Sequence, residues 1–106
     1  MQGSQAIKSS RITLVSKEKY KVDLEYNKEF AILHLPIVSK FTRDVYLDMT
    51  MVMEDIEEFL MTVGYPNIWV AVDPANTTIA KLAKKFKFEY RGSADGMDVY
   101  MKEKEV

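Results

Sequence analysis

Apolar and polar residues alternate through the first third of the chain. From Arg11 onward, apolar side chains occupy every second position in two short runs, at Ile12 and Leu14 and then at Tyr20, Val22, Leu24 and Tyr26. This pattern is typical of half-buried antiparallel strands, and the polar residues 16–18 predict the turn between them. Residues 30–35 are nearly all apolar, which indicates a central strand covered on both faces. Because Pro36 has no backbone N–H, we expect pairing on one side of that strand to fail there.

The middle of the chain changes to a helical period. Apolar residues recur at intervals of three and four between Val45 and Val63, with acids on the opposite face. Thr42 or Asp44 can cap the start of this helix, and Gly64 can close its end in a left-handed conformation. Four methionines fall on the segment, and Met51 and Met53 point away from the position that Met49 takes in the core. They predict either an adaptable contact surface lined by methionine or a second buried face under the sheet.

Two further strands and a second helix follow. Residues 68–72 form a short apolar run typical of a buried strand, and Asn76 can cap a helix that buries Ile79, Leu82, Ala83 and Phe86. Residues 88–91 and 97–101 alternate on either side of a loop that contains two glycines, which predicts a hairpin. The order is β-β-β-α-β-α-β-β. It predicts an α+β fold with a mixed, mostly antiparallel sheet of about six strands, two helices and a right-handed parallel crossover.

Composition limits the chemistry that such a domain can carry. With 106 residues the chain is long enough for one domain, which we place at residues 11–104 after a polar, flexible leader at 1–10. The absence of cysteine excludes disulfides, iron–sulfur clusters and a cysteine nucleophile, and a single histidine leaves no histidine-based metal site. A net charge of −1 argues against a general nucleic-acid binder. No apolar run is long enough for a membrane span or a signal peptide, so we expect an intracellular protein.

The charges are segregated along the chain. Residues 1–43 carry eight Lys or Arg against four acids, whereas residues 44–73 carry seven acids and no Lys or Arg. Two interpretations of the acidic block stay open. It is the solvated face of a helix that lies beside basic neighbours, or it is a docking face for a basic partner.

Local motifs resemble a known family. Residues 68–76 (IWVAVDPAN), with Ile79, Ala83 and the Lys87-Phe88 pair, resemble the second half of a GCN5-related N-acetyltransferase, in which a strand leads to a helix started by Asn and the helix ends in Gly-Phe before a closing hairpin. Residues 32–38 are similar to the splayed central strand of that family, and residues 44–63 to the helix that receives coenzyme A. The resemblance covers about residues 11–102, without the two N-terminal helices of the family. Residues 34–38 and 72–76 are similar to small acetyltransferase-like proteins of tailed bacteriophages.

The resemblance implies a set of site residues. His34 lies on the strand that carries the general base in the family, with Glu25 or Glu29 as a nearby carboxylate, although a strand histidine with a backbone partner is an alternative. Tyr46, Tyr90 or Tyr100 could replace the family's tyrosine acid, with Tyr90 taken as the candidate, although packing in the core or at its rim is an alternative for each. The residues that would hold acetyl-coenzyme A are Ile37, Val38, Lys40, Arg43 and Asn76. Helix capping also explains Asn76, and the lysines at 81, 84, 85 and 87 are expected to be solvated.

Departures from the family pattern leave two functions open. Residues 39–46 contain no glycine where the family has a glycine-rich pyrophosphate loop, Ala83 takes the place of the tyrosine acid, and Asp44 and Asp48 put negative charge where a diphosphate would sit. One prediction is therefore an acetyltransferase-like phage protein without efficient catalysis, which acts through protein contacts in virion assembly or on a host target, in the host cytoplasm or the virion. The alternative is an active acyl-coenzyme-A-dependent N-acetyltransferase with an atypical pyrophosphate site. A homodimer through the sheet edge is a further option.

Overall fold

The computed structural model describes residues 9–38 and 42–103, and of residues 36–38 the backbone alone. Within these residues the predicted element order is confirmed. The elements are β1 (Ser10–Ser16), β2 (Tyr20–Tyr26), β3 (Ala31–Val38), α1 (Arg43–Thr62), β4 (Asn67–Val72), α2 (Thr77–Lys85), β5 (Glu89–Ala94) and β6 (Met97–Glu103). Strand β1 begins at Ser10, inside the segment predicted as a leader.

The six strands form one mixed sheet in the order β1-β2-β3-β4-β6-β5. Every neighbouring pair is antiparallel except β3 and β4, which run parallel and are connected through α1. The parallel pairing is short, because it extends only from Ile32 opposite Trp69 to His34 opposite Ala71. The sheet therefore consists of two antiparallel triplets joined by a three-residue parallel seam.

Strand β3 is irregular at Pro36, as predicted. On its β2 side the register shifts between the pair Lys21–Ile37 and the pair Asp23–His34, so β3 carries one residue more than β2 over this stretch. Such an extra residue is a β-bulge. On the other side, pairing with β4 stops at His34 although β3 continues to Val38. The carboxyl ends of the two central strands consequently part.

Both helices cover the same face of the sheet. Helix α1 is capped by Thr42, whose side chain accepts from the N–H of Val45, and Gly64 follows the helix with a φ of 111°. The buried positions of α1 are Val45, Met49, Met53, Ile56 and Leu60. Met53 thus belongs to the core, so the buried alternative holds for it and the contact surface does not, whereas Met51 is exposed. A narrow apolar gap lined by Met49, Val70 and Leu82 shows that α1, β4 and α2 meet there.

The opposite face of the sheet has no helix on it among the residues that the structure describes. Ala31 and Leu33 of β3 point to the helices and are fully buried, whereas Ile32 and His34 point the other way and are half-buried. The expectation that this strand is covered on both faces is therefore wrong for the described part of the chain. A strand interior to the sheet gains enough burial from its two neighbours and one helical layer to account for its apolar sequence.

The closing hairpin is tighter than predicted. Its loop is the pair Asp95-Gly96, both with positive φ, which is the backbone of a two-residue type I′ turn. Gly92 lies within β5 at a register shift and has a φ of 130°. No helix in the described ranges is long and apolar enough to cross a membrane.

Candidate functional site

A cleft opens where β3 and β4 part. Its volume is about 690 Å³. On the β3 side it is lined by His34 and Leu35, and on the β4 side by residues 71–73 and the first turn of α2, including Asn76 and Thr78. Ligands commonly bind where the carboxyl ends of neighbouring parallel strands separate, because unpaired backbone groups and a helix start face the same space there. We call this space the seam cleft.

A histidine–carboxylate pair lies at the rim of the seam cleft. The distance between His34 Nε2 and Glu25 Oε1 is 3.0 Å, and the Ser9 hydroxyl donates to Glu25 Oε2 at 2.7 Å. The hydrogen bond from Ser9, followed by the contact with His34, lowers the pKa of Glu25 below its ordinary value, so the carboxylate stays ionised and holds the ring. Of the two carboxylates considered for this role, Glu25 is the partner. With Nε2 donating to Glu25, Nδ1 carries the lone pair that can accept a proton.

Asn76 contributes to the seam cleft from α2. Its Oδ1 accepts from the N–H of Ile79 at 3.1 Å, so the predicted helix cap is confirmed. Just before it, Asp73 Oδ1 accepts from the N–H of Ala75 at 2.9 Å and fixes the turn that leads into the helix. The structure therefore brings Asn76, from the start of α2, and His34, from β3, to the same cleft, while a coenzyme contact for Asn76 stays a prediction.

A second, positively charged cleft lies between the start of α1 and the outer side of α2. Its volume is about 420 Å³, and its charged lining consists of Arg43, Lys81 and Lys85. We call it the basic cleft. Tyr46 forms its floor: the ring stacks on Phe86 with centroids 6.0 Å apart, and Lys85 Nζ lies 5.2 Å from the Tyr46 centroid. Together with the positive end of the α1 helix dipole, these cations favour an anion.

The expected repulsion from Asp48 is absent from this cleft. Asp48 accepts from Lys17 Nζ at 2.7 Å and from the Tyr20 hydroxyl at 2.5 Å, at the turn between β1 and β2. Tyr46 and Asp48 are two residues apart on an α-helix, so their side chains point to nearly opposite sides of it. The prediction that Asp48 opposes an anion at the helix start is therefore wrong, because the carboxylate faces away and is paired with a lysine.

The other predicted site residues are dispersed. Tyr90 lies on the edge strand β5, is 54% exposed, and contacts the Ser93 hydroxyl at 3.3 Å; it lines neither cleft. Ile37 and Val38 pair along the backbone with Lys21 and Tyr20, and their side chains lie outside the described part, as does all of Lys40. Arg43 lies in the basic cleft, as its predicted phosphate role requires.

Sequence reasoning missed the contribution of two lysines. Lys81 and Lys85 are exposed, as expected, and both also line the basic cleft together with Arg43. Their spacing of four places them on one side of α2. This spacing is the sequence signal that could have identified them as a shared basic surface. Which helix they would face depends on packing between elements far apart in sequence.

Comparison with known proteins adds no relative: no family model, curated protein or solved structure matches this chain. The similarity to N-acetyltransferases and to phage proteins therefore remains a prediction from the residues themselves.

Proposed function

We propose that the chain is an acetyltransferase-like domain that binds an acyl-coenzyme A and transfers its acyl group to an amine. The observation that supports this best is that the two clefts are neighbours, because Thr78 lines both of them. The seam cleft presents unpaired strand backbone, and the basic cleft presents three cations. A coenzyme with an amide-containing arm and a phosphorylated end has matching chemistry at both ends.

The arm would lie along the parted strands. Beyond His34 and Ala71 the facing edges of β3 and β4 no longer pair with each other. An extended chain with amide groups can add to such an edge in the manner of an extra strand. Two large aromatic side chains near the parted strands, Trp69 and Tyr46, do not line the seam cleft, and Tyr46 stacks on Phe86 instead.

The phosphates would lie in the basic cleft. Arg43, Lys81 and Lys85 supply positive charge there without any glycine-rich loop, and the α1 start supplies N–H groups. This arrangement accounts for an anion site in a segment that lacks glycine.

His34 would act as the general base. An amine that attacks the thioester carbonyl forms a C–N bond, and the C–S bond then breaks to release the thiol. The proton lost from the attacking nitrogen passes to Nδ1 of His34, while the ionised Glu25 stabilises the ring as it becomes positive. The leaving thiolate takes a proton from solvent through the open side of the cleft.

Binding of acetyl-coenzyme A, measured by isothermal titration, tests the proposal. We expect micromolar affinity for the wild type and a loss of about tenfold for Arg43→Ala and for Lys85→Ala, since each removes a charged partner of a phosphate. Lys84→Ala is the matched control, because Lys84 is exposed on the same helix and does not line the cleft. No binding at about 1 mM ligand, which corresponds to about −4 kcal/mol, would contradict the proposal.

Release of thiol in the presence of a lysine peptide tests the transfer step separately. We expect His34→Gln to bind acetyl-coenzyme A like the wild type and to lose transfer. If the wild type binds acetyl-coenzyme A but releases no thiol, the protein binds the coenzyme without transferring its acyl group, and the proposed transfer step is refuted.

The second candidate is a protein of this kind that acts through protein contacts in a phage or its host, without efficient catalysis. It is favoured by Ala83, which is buried at the position of the family's tyrosine acid and leaves no hydroxyl there. Failure of the wild type to bind acetyl-coenzyme A would favour this candidate.

A further inference from the structure

An arginine lines the seam cleft from the edge of the sheet. Arg11 lies on β1, pairs in register with Glu25, and lines the cleft together with His34. Glu25 and His34 contact each other on the face of the sheet that carries no helix among the described residues, and Arg11 extends over the same face to contact Asp23. The helix-free side of the cleft therefore holds a fixed positive charge beside the histidine.

Asp23 holds Arg11 in place without using up its donors. Arg11 Nη2 lies 3.3 Å from Asp23 Oδ2, while the Thr13 hydroxyl donates to Asp23 Oδ1 at 2.9 Å. Asp23 is 7% exposed, whereas the Arg11 side chain is 50% exposed. A guanidinium has five N–H donors in a rigid fork, and this is its one hydrogen bond to the residues that the structure describes. The fork therefore keeps donors for a second carboxylate, supplied by a ligand.

The opposite charge lies on the other side of the cleft. Asp73 follows β4, is exposed, and is the only carboxylate in the described lining of the cleft. Its Oδ1 accepts from the N–H of Ala75, and its Oδ2 has no hydrogen-bond partner among the described residues. A ligand that complements both sides carries a negative group toward Arg11 and a positive group toward Asp73.

His34 lies between these two charges, because β3 separates β4 from β2 and β1. Neighbouring strands are about 4.8 Å apart, so the backbones of β1 and β3 are separated by two such spacings, and the Arg11 side chain bridges most of that distance. Since Nε2 of His34 is engaged by Glu25, Nδ1 is the ring atom available to a ligand. The space left suits a small molecule in which only a few bonds separate a nitrogen from a carboxylate.

We propose that the seam cleft binds a small amine that carries a carboxylate, such as a short amino acid, with Arg11 on the carboxylate and Asp73 on the ammonium group. Binding needs only the cleft and its charges. That this molecule is the acyl acceptor rests on the proposed function. In that reaction the ammonium first loses a proton to solvent, the nitrogen forms the amide bond as the C–S bond of the thioester breaks, and the proton lost on attack passes to His34.

The single histidine makes binding directly observable. The imidazole protons of His34 are the only ones of their kind in a chain without a histidine tag, so their NMR shifts report on the seam cleft. Three probes are compared at constant pH and ionic strength: β-alanine, its carboxamide, and propionate, which lacks the amine. We expect β-alanine to bind at least about tenfold more tightly than either of the others, because each of them lacks one of the two charges.

Chain length extends this comparison. Glycine and γ-aminobutyrate, each with its carboxamide, vary the distance between the nitrogen and the carboxylate. We expect the preference for the carboxylate to be largest at one spacing, since Arg11 and Asp73 are both held by bonds to the backbone or to Asp23. Equal binding of amino carboxylate and carboxamide at every chain length, or no shift of His34 with any of them, would overturn the proposal.

Variants assign the two charges. Arg11→Gln is expected to reduce the affinity for β-alanine to that for its carboxamide, and Arg11→Lys, which keeps the charge without the fork, to lie in between. Asp73→Asn, which keeps an oxygen to accept from Ala75, is expected to weaken β-alanine by about tenfold and propionate not at all. Lys21→Gln is the matched control, because Lys21 also contacts Asp23, at 3.8 Å, but does not line the cleft. With unchanged circular dichroism, equal losses in Arg11→Gln and Lys21→Gln would overturn the proposal.

Thiol release from acetyl-coenzyme A decides whether the bound molecule is the acceptor. We expect the amino carboxylate that binds best to release thiol about tenfold faster than its carboxamide, although the carboxamide, whose nitrogen is less basic, contains more neutral amine at the same pH. Release with a lysine peptide but with no amino carboxylate would overturn the assignment as acceptor. No release with any amine would refute the proposed function instead, and the titration of His34 would still decide the binding site.

Discussion

At the scale of single residues, Lys17, Tyr20 and Asp48 connect the turn between β1 and β2 to α1. Asp48 accepts hydrogen bonds from both other side chains, and Lys17 Nζ also lies 5.6 Å from the centroid of the Tyr20 ring. The hydrogen bond from Lys17, and then that from Tyr20, lowers the pKa of Asp48. Burial, and then Asp48, raises the pKa of Tyr20. The cluster is therefore assembled around an ionised Asp48.

This cluster predicts a loss of stability in acid. Because the pKa of Asp48 is lower in the folded than in the unfolded chain, the unfolded chain binds more protons in acid. The contribution of Asp48 to the free energy of unfolding is therefore complete above the ordinary carboxyl pKa, and it is lost as the pH falls through the lowered pKa of the folded chain. We expect the wild type to lose free energy of unfolding in urea as the pH falls from 7 to 2.5. Part of the loss below about pH 4 should be missing in Asp48→Asn. Glu54→Gln, at an exposed acid in the middle of α1 without a described side-chain partner, is the control and should decline like the wild type. Parallel curves for Asp48→Asn and wild type would contradict the assignment.

At the scale of elements, the junction between α2 and β5 has a residue with a Cβ in a backbone conformation that favours glycine. Lys87 has a φ of 72°, and its N–H donates to the carbonyl of Lys84 at 3.0 Å as the helix ends. Helices commonly end with a residue in this conformation, which is usually glycine because a Cβ costs roughly 1 kcal/mol there. The chain pays this cost at a position where the resembled family has glycine.

Replacing Lys87 with glycine should therefore stabilise the protein. We expect Lys87→Gly to raise the free energy of unfolding by up to about 1 kcal/mol, after the extra freedom of glycine in the unfolded chain is subtracted. Lys84→Gly, in the last turn of α2, should instead lower it by up to about 1 kcal/mol. Denaturant unfolding of both variants distinguishes them, and a loss of stability in Lys87→Gly as large as that in Lys84→Gly would refute the explanation.

The elements themselves follow from local pattern, and their contacts do not. Alternation, helical period and the capping residues Thr42, Gly64 and Asn76 predict the order and most boundaries, because each depends on residues within a few positions. The pairing of Asp48 with Lys17 spans 31 residues, and the placement of Arg43 and Lys81 in one cleft depends on how two helices pack. Sequence patterns carry no direct signal for such distances, so the basic cleft was missed while the helices around it were predicted.

At the scale of the whole molecule, one core holds the two strand triplets together. Leu24 and Leu33 of the first triplet and Val70 and Tyr100 of the second belong to the same cluster of buried residues, which α1 and α2 complete. The parallel seam contributes three residue pairs, so most of the connection between the triplets is side-chain packing. Shared packing makes the triplets unfold together.

Coincident unfolding is measurable with the single tryptophan. Trp69 lies on β4 at the seam, opposite Ile32, so its fluorescence reports on the contact between the triplets, whereas far-ultraviolet circular dichroism reports mainly on the helices. We expect the two signals to give the same urea midpoint and the same slope. A fluorescence change that precedes the loss of helix would show that the seam opens first and would contradict a single cooperative unit.

The seam also divides the molecule into two continuous stretches of sequence, one for each triplet. A chain severed between Gly64 and Pro66 yields one piece with β1, β2, β3 and α1 and another with β4, α2, β5 and β6. His34 and Arg43 belong to the first piece, and Asn76, Lys81 and Lys85 to the second, so neither piece holds a whole cleft. A ligand that fills the clefts would fasten the two pieces together, and reassembly of the severed chain becomes a direct reporter of that ligand.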